Sequence, residues 1–262
     1  MELYYIWLES IKGLGPLSWH MLLKEFGTPY EIYMNRNHLS PQGKITAHCL
    51  NLIKEGSEKA MEEAKQIQEN CVKQGIHIVK YEDQVFAHNI RENQEFPIMF
   101  YYKGTIKERW THGAGIVGAR RCSKEGKECA IRTAIQSVED HIPVISGMAK
   151  GIDSYSHTAA INHGGYTIAV LGFGIDQCYP MEHMVLMERI SKDGLLISEY
   201  PPGTMPRQYN FPRRNRIIAG LSDVLYVIDA GAKSGTNTTI KAAQRYGKEI
   251  FRSYSFINKL LK

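Results

Sequence analysis

A chain of 262 residues, 43% hydrophobic and 23% charged, has the balance of a folded globular protein and is too long for one minimal core. Its net charge of +5 permits a polyanionic partner without requiring one. The five cysteines (Cys49, Cys71, Cys122, Cys129, Cys178) form no CxxC pair, which argues against a disulfide framework or a zinc site. No apolar run approaches the ~20 residues of a membrane span, and the start Met1–Trp7 has an early acid and no basic leader, so a cytoplasmic protein is expected.

Residues 1–75 read as a helical domain. Leu3, Ile6, Trp7 and Ile11 form a stripe at helical spacing, Gly13-Leu14-Gly15-Pro16 breaks it, and a second apolar helix runs through Leu17 and Phe26. A longer helix carries Ala60, Ala64, Ile67 and Cys71 on one face and stops at Gly75. The stretch Ile11-Lys12-Gly13-Leu14-Gly15 fits the turn of a helix-hairpin-helix, which serves structure or meets a DNA phosphate.

From residue 76 to 262 short apolar runs alternate with amphipathic helices. The expected strands are Ile116–Gly118, Val144–Ser146, Thr167–Leu171, Leu195–Ser198 and Val224–Ile228. Ala130, Ile131, Ala134, Ile135 and Val138 stripe one intervening helix; Ala242, Ala243 and Tyr246 suggest another. Such alternation predicts an α/β domain with a Rossmann-like, doubly wound, mostly parallel sheet.

Ligands bind such sheets beyond the carboxyl ends of the strands. Those ends lead into Gly118-Ala119-Arg120-Arg121, Ser146-Gly147-Met148-Ala149-Lys150-Gly151-Ile152-Asp153, Gly172-Phe173-Gly174, Glu199-Tyr200 and Asp229–Thr236. Glycines, small hydroxyls and cations at helix starts suit phosphate. A single such loop needs its glycines for the turn alone; all of them together, with Arg120 and Lys150, point to anion binding. Arg120, Lys150 and Arg214 are expected to be loop cations that contribute little to the core.

Arg207–Arg216 is the sharpest segment, with four arginines, two aromatics (Tyr209, Phe211) and no acid. Guanidinium groups fork onto phosphate oxygens and aromatic faces stack on unpaired bases. A basic turn entering a helix with Ile217, Ile218 and Leu221 inward is the plainer reading, and Glu199 is a candidate counter-charge. Asp153 and His157, at i and i+4, share a helix face. As an acid–base or metal pair they lack a third group, and helix capping accounts for Asp153. GxxxxGK(S/T) and a complete GxGxxG are missing; Gly113-Ala114-Gly115 is a fragment that precedes its strand.

Together these segments resemble the DNA-processing protein A (DprA/Smf) family over about residues 76–250. Ile116-Val117-Gly118-Ala119-Arg120 is close to VGxR, Ser146–Asp153 is close to SGxAxGID with His157 following, and Ala169–Gly174, Tyr179-Pro180, Ser198–Pro201, Phe211–Ser222 and Ser234-Gly235 continue it. The resemblance implies a single-stranded DNA-binding homodimer that protects incoming DNA and loads the RecA recombinase in natural transformation. It implies no catalysis, no cofactor, no metal and no membrane. Carried over, the DNA-binding residues are Gly118, Arg120, Ser146, Gly147, Lys150, Phe211, Arg213, Arg214, Asn215, Arg216, Ser234 and Gly235. Ala119 stands where the family has a serine or threonine, and Asp229 where it has glutamate. Phe251-Arg252-Ser253-Tyr254 runs on to Lys262, so a shortened C-terminus is expected.

Two alternatives are a nucleotide sensor and a nucleoside-monophosphate-processing enzyme related to phosphoribohydrolases. The latter carry a PGGxGTxxE stretch with a catalytic glutamate, and Ser234–Lys241 has none.

Overall fold

The computed structural model describes residues 1–86, 88–91, 93–108, 110–231 and 234–252. Ala232, Lys233, Ser253 and Tyr254, which entered the sequence reading, lie outside them. The chain divides into two compact units, Met1–Phe100 and Tyr101–Lys262.

The first unit contains α1 (Glu2–Ser10), α2 (Pro16–Phe26), α3 (Pro29–Asn35), α4 (Ala47–Gln74), β1 (His77–Lys80) and α5 (His88–Arg91). Proline opens α2 and α3, where a helix has no use for the missing N–H. Thr28 and Glu31 close a capping box on α3. Gly75, at φ +61, ends α4 in the left-handed conformation that a Cβ disfavours. Ile6, Trp7, Ile11, Ala60, Ala64 and Cys71 are buried, as their spacing predicts. Leu17 is 55% exposed instead, because α2 turns His20 and Leu22 inward.

β2 (Met99–Gly104) crosses the boundary. The second unit continues with β3 (Gly113–Gly118), α6 (Lys124–Glu139), β4 (Val144–Ser146), α7 (Ile152–Asn162) and β5 (Thr167–Leu171). A 3-10 turn, Met181–His183, leads into α8 (Met184–Asp193), followed by β6 (Leu195–Ser198), α9 (Asn210–Leu221), β7 (Ser222–Ile228), α10 (Thr236–Arg245) and β8 (Glu249–Phe251). The strands order as β2-β6-β5-β4-β3-β7-β8. From β6 to β8 every pairing is parallel, and β2 joins β6 antiparallel. Helices α6, α7 and α8 cover one face, α9 and α10 the other. This is the Rossmann-like, doubly wound α/β sheet expected. Ile116, Ala130, Ala134, Val144, Ile152, Ala160 and Ile228 form its core under α6 and α7.

The expected bounds of β4, β5 and β6 agree with the structure. Gly113-Ala114-Gly115 does not precede a strand; it is the first half of β3. A Cβ on Gly113 would lie 2.6 Å from the Pro143 carbonyl, so the glycine there serves close strand packing, not a phosphate turn. Among the described residues no helix is long and apolar enough to cross a membrane.

Candidate functional site

Counting from β3, the chain lays β4, β5 and β6 to one side and then β7 and β8 to the other. The order therefore reverses between β3 and β7, where a doubly wound sheet leaves a crevice beyond its carboxyl ends. A cleft of about 780 Å³ opens there. Gly118, Ala119, Arg120 and Arg121 line it after β3, Asp229, Ser234, Gly235 and Thr236 after β7, and Phe211, Arg214 and Asn215 from the start of α9. A recess of about 50 Å³ adjoins it, walled by Arg120, Gly147, Lys150, Tyr179, Phe211 and Arg214.

Arg214 organises this region. It is only 4% exposed, although a loop cation was expected. Asn210, Arg214, Ile217, Ile218 and Leu221 are all buried on one face of α9, so Arg214 occupies a position of the helix's inward stripe. Its Nη1 donates to the carbonyls of Gly147 (2.7 Å) and Val170, and its Nε to Asn215 Oδ1 at 3.1 Å. Nη2 has no hydrogen-bond partner among the described residues, and the guanidinium borders both cleft and recess. Burial lowers its pKa to about 10, opposed chiefly by the nearby Asp153. The group stays charged at neutral pH.

Phe211 presents a ring between Arg120 and Arg214, whose guanidinium carbons each lie 5.9 Å from its centroid. Tyr179 stands 5.7 Å away, tilted against the same ring. Arg120 is exposed and has no acidic partner among the described residues. Lys150 Nζ is 2.7 Å from Glu182 Oε2.

Other expected residues lie further back. Ser146 is fully buried and gives its proton to the Ile116 carbonyl at 2.6 Å. Arg216 forks onto Glu199 at 2.9 and 2.6 Å, with both side chains largely buried. That pair answers the charge of α9 through Glu199. Asn215 Nδ2 donates to Thr238 Oγ1 (2.7 Å) and to the Gly235 carbonyl, tying α9 to the start of α10. Arg213 is exposed and lies over the ring of Tyr209 at 5.8 Å. Arg121 and Thr236 stand in loops expected at the ligand edge, and Tyr179 in the Tyr-Pro motif, but none of the three was expected to bind; nothing in the sequence links Glu182 to Lys150.

Asp153 does not cap its helix. Its Oδ2 accepts from the N–H groups of Gly147 (3.2 Å) and Ala149 (3.3 Å), holding the β4–α7 loop. Burial raises its pKa, with Arg214 and these N–H groups opposing. His157 is completely buried one turn on. Thr167 Oγ1 donates its single proton to the Val144 carbonyl (2.8 Å), so it must accept from His157 Nδ1 at 2.7 Å. Nε2 then carries the lone pair and has no partner among the described residues. Burial first, then His183 and Arg214, hold this imidazole neutral with a pKa of about 3. Among the described residues no three His, Cys, Asp or Glu side chains gather as a metal site would require.

These features define a doubly wound, Rossmann-like domain with a cationic, aromatic-walled cleft at its topological switch point. A family model described as DNA recombination-mediator protein A matches residues 77–259, and the chain belongs to that family. It is 38% identical over 169 residues to DNA processing protein DprA of Streptococcus pneumoniae, spanning 64% of this chain and 60% of that protein. Protein Smf of Synechocystis is 31% identical over 258 residues, 95% of this chain and 64% of that protein. The chain thus spans under two thirds of these relatives' length. The solved structure of the Streptococcus pneumoniae protein aligns with a TM-score of 0.74 and 28% identity, over 100% of this chain and 92% of that one. DNA processing protein A from Helicobacter pylori, solved for its unique single-stranded DNA binding mode, aligns at 0.60 with 26% identity, over 71% and 95%.

Proposed function

We propose that the β3–β7 cleft binds single-stranded DNA without sequence preference. The observation that carries this reading is Arg214: a guanidinium 4% exposed, fixed by carbonyls, that borders both the cleft and the recess. Buried charge without an acid bonded to it is costly unless an anion completes it. Arg120, Lys150 and Arg213 supply further phosphate contacts, and Phe211 and Tyr179 offer faces for unpaired bases. Gly118, Gly147, Ser234 and Gly235 let the backbone approach, while Ser146, Asn215 and Arg216 hold the contacting residues in place. The single-stranded DNA binding described for the Helicobacter pylori relative supports the same assignment. As in the family it resembles, the chain then acts in the cytoplasm as a homodimer that delivers DNA to RecA.

The same reading gives the domain no catalytic role. Asp153 is spent on backbone N–H groups, His157 is sealed behind Thr167, and Thr239 stands where the PGGxGTxxE stretch of the related hydrolases carries glutamate. Fluorescence anisotropy with labelled oligo-dT and a blunt duplex of equal length tests the binding. Tighter binding of the single strand is expected; equal or tighter duplex binding overturns it. Base release from nucleoside monophosphates that Asp153→Asn abolishes while DNA binding persists would overturn the non-catalytic reading.

A further inference from the structure

Two cations of this site are met by acids, in different settings. The Arg216–Glu199 pair is forked and largely buried, with side chains 16% and 13% exposed. Lys150 and Glu182 are 53% and 57% exposed, so water reaches both members of the pair. Exposed ion pairs of this kind are weak and exchange readily. Glu182 sits in the 3-10 turn Met181–His183, which follows Tyr179 and Pro180 at the wall of the recess. The turn is tied to the β4–α7 loop a second time: His183 Nδ1 lies 3.1 Å from the Met148 carbonyl. The Glu182 carboxylate is therefore held against Lys150, the one lysine among the described residues of the recess.

A phosphate arriving at Lys150 must displace that carboxylate or bear its repulsion at close range. We propose that Glu182 is a built-in competitor for phosphate at Lys150, and that it makes the cleft favour a strand over a lone nucleotide. This rests on the reading of the cleft as a DNA-binding site. A strand whose neighbouring phosphates are already held by Arg120 and Arg214 presents the next one at high effective concentration and displaces Glu182. A mononucleotide has no such help.

Glu182→Gln removes the competing charge and keeps the side chain's size. Anisotropy with labelled oligo-dT should show about two- to fivefold tighter binding than wild type, with a larger relative gain for dTMP measured by competition. The gain should vanish in a Lys150→Ala background. Glu188→Gln, on the exposed side of α8, controls for net charge and should leave affinity unchanged; melting temperatures establish that each variant is folded. Unchanged or weaker binding by Glu182→Gln overturns the proposal, as does an equal gain in the Lys150→Ala or Glu188→Gln protein. If Lys150→Ala weakens oligo-dT binding while Glu182→Gln matches wild type, Glu182 alone has been misread. If the wild-type protein does not bind oligo-dT, the DNA-binding reading falls with it.

Discussion

Arg214 Nη1 donates to the carbonyl of Gly147 over 2.7 Å, and a Cβ on Gly147 would lie 2.6 Å from Arg214 Nη2. The helix that brings the basic segment and the loop that follows β4 are thus locked together by one guanidinium. Glycine is required at 147 by that close approach.

Arg214→Ala should cost stability as well as affinity. It leaves the Gly147 and Val170 carbonyls without their donor and opens a void on the inward face of α9. A loss of about 2 kcal/mol or more is expected from unfilled buried acceptors, read from urea unfolding. An unchanged midpoint would mean that the side chain is held at the surface.

Arg216→Ala should also destabilise, through its partner. Glu199 would be left largely buried and charged, at an expected cost of about 3 kcal/mol. Adding Glu199→Gln removes the orphaned charge and should recover part of the loss. If the double variant is no more stable than the single one, the pair is not what holds α9.

His157 gives stability a pH dependence. Its folded pKa of about 3 lies below the ~6.5 of an unfolded histidine. Its contribution is therefore fully present above pH ~6.5 and is lost at ~1.4 kcal/mol per unit as pH falls through that window toward 3. Asp153 works in the opposite sense: its raised pKa favours the folded protein at low pH, and that contribution disappears as pH rises through the raised value. His157→Asn keeps a donor toward Thr167 without the titration, so the difference between the two proteins isolates the histidine. Parallel stability curves for wild type and variant between pH 4 and 7 (about the range of the window) would contradict the assignment.

Much of this was legible in the residues. Short apolar runs flanked by glycine gave β4, β5 and β6 their bounds, and the loops after β3 and β4 brought Arg120, Gly147 and Lys150 to one edge. β1, β2 and β8 escaped. β1 and β8 are short and carry charged residues at their ends, Lys80 and Glu249, so no apolar run stands out there, and β2 is an aromatic run that reads equally well as buried helix. The burial of Arg214 was hidden by its charge, although Asn210, Arg214, Ile217, Ile218 and Leu221 keep helical spacing. Spacing marks a face; which face the core takes depends on partners from distant segments, here the carbonyls of Gly147 and Val170.

The most direct test of the cleft is a salt titration of oligo-dT binding by wild type and Arg120→Ala. Arg120 is exposed and has no acidic partner among the described residues, so the variant should melt like wild type. Log affinity should fall linearly with log salt, and losing one phosphate contact should make the slope shallower by about 0.7. Arg120→Ala should bind more weakly with that shallower slope; equal affinity and an equal slope in the folded variant would contradict DNA binding at the cleft.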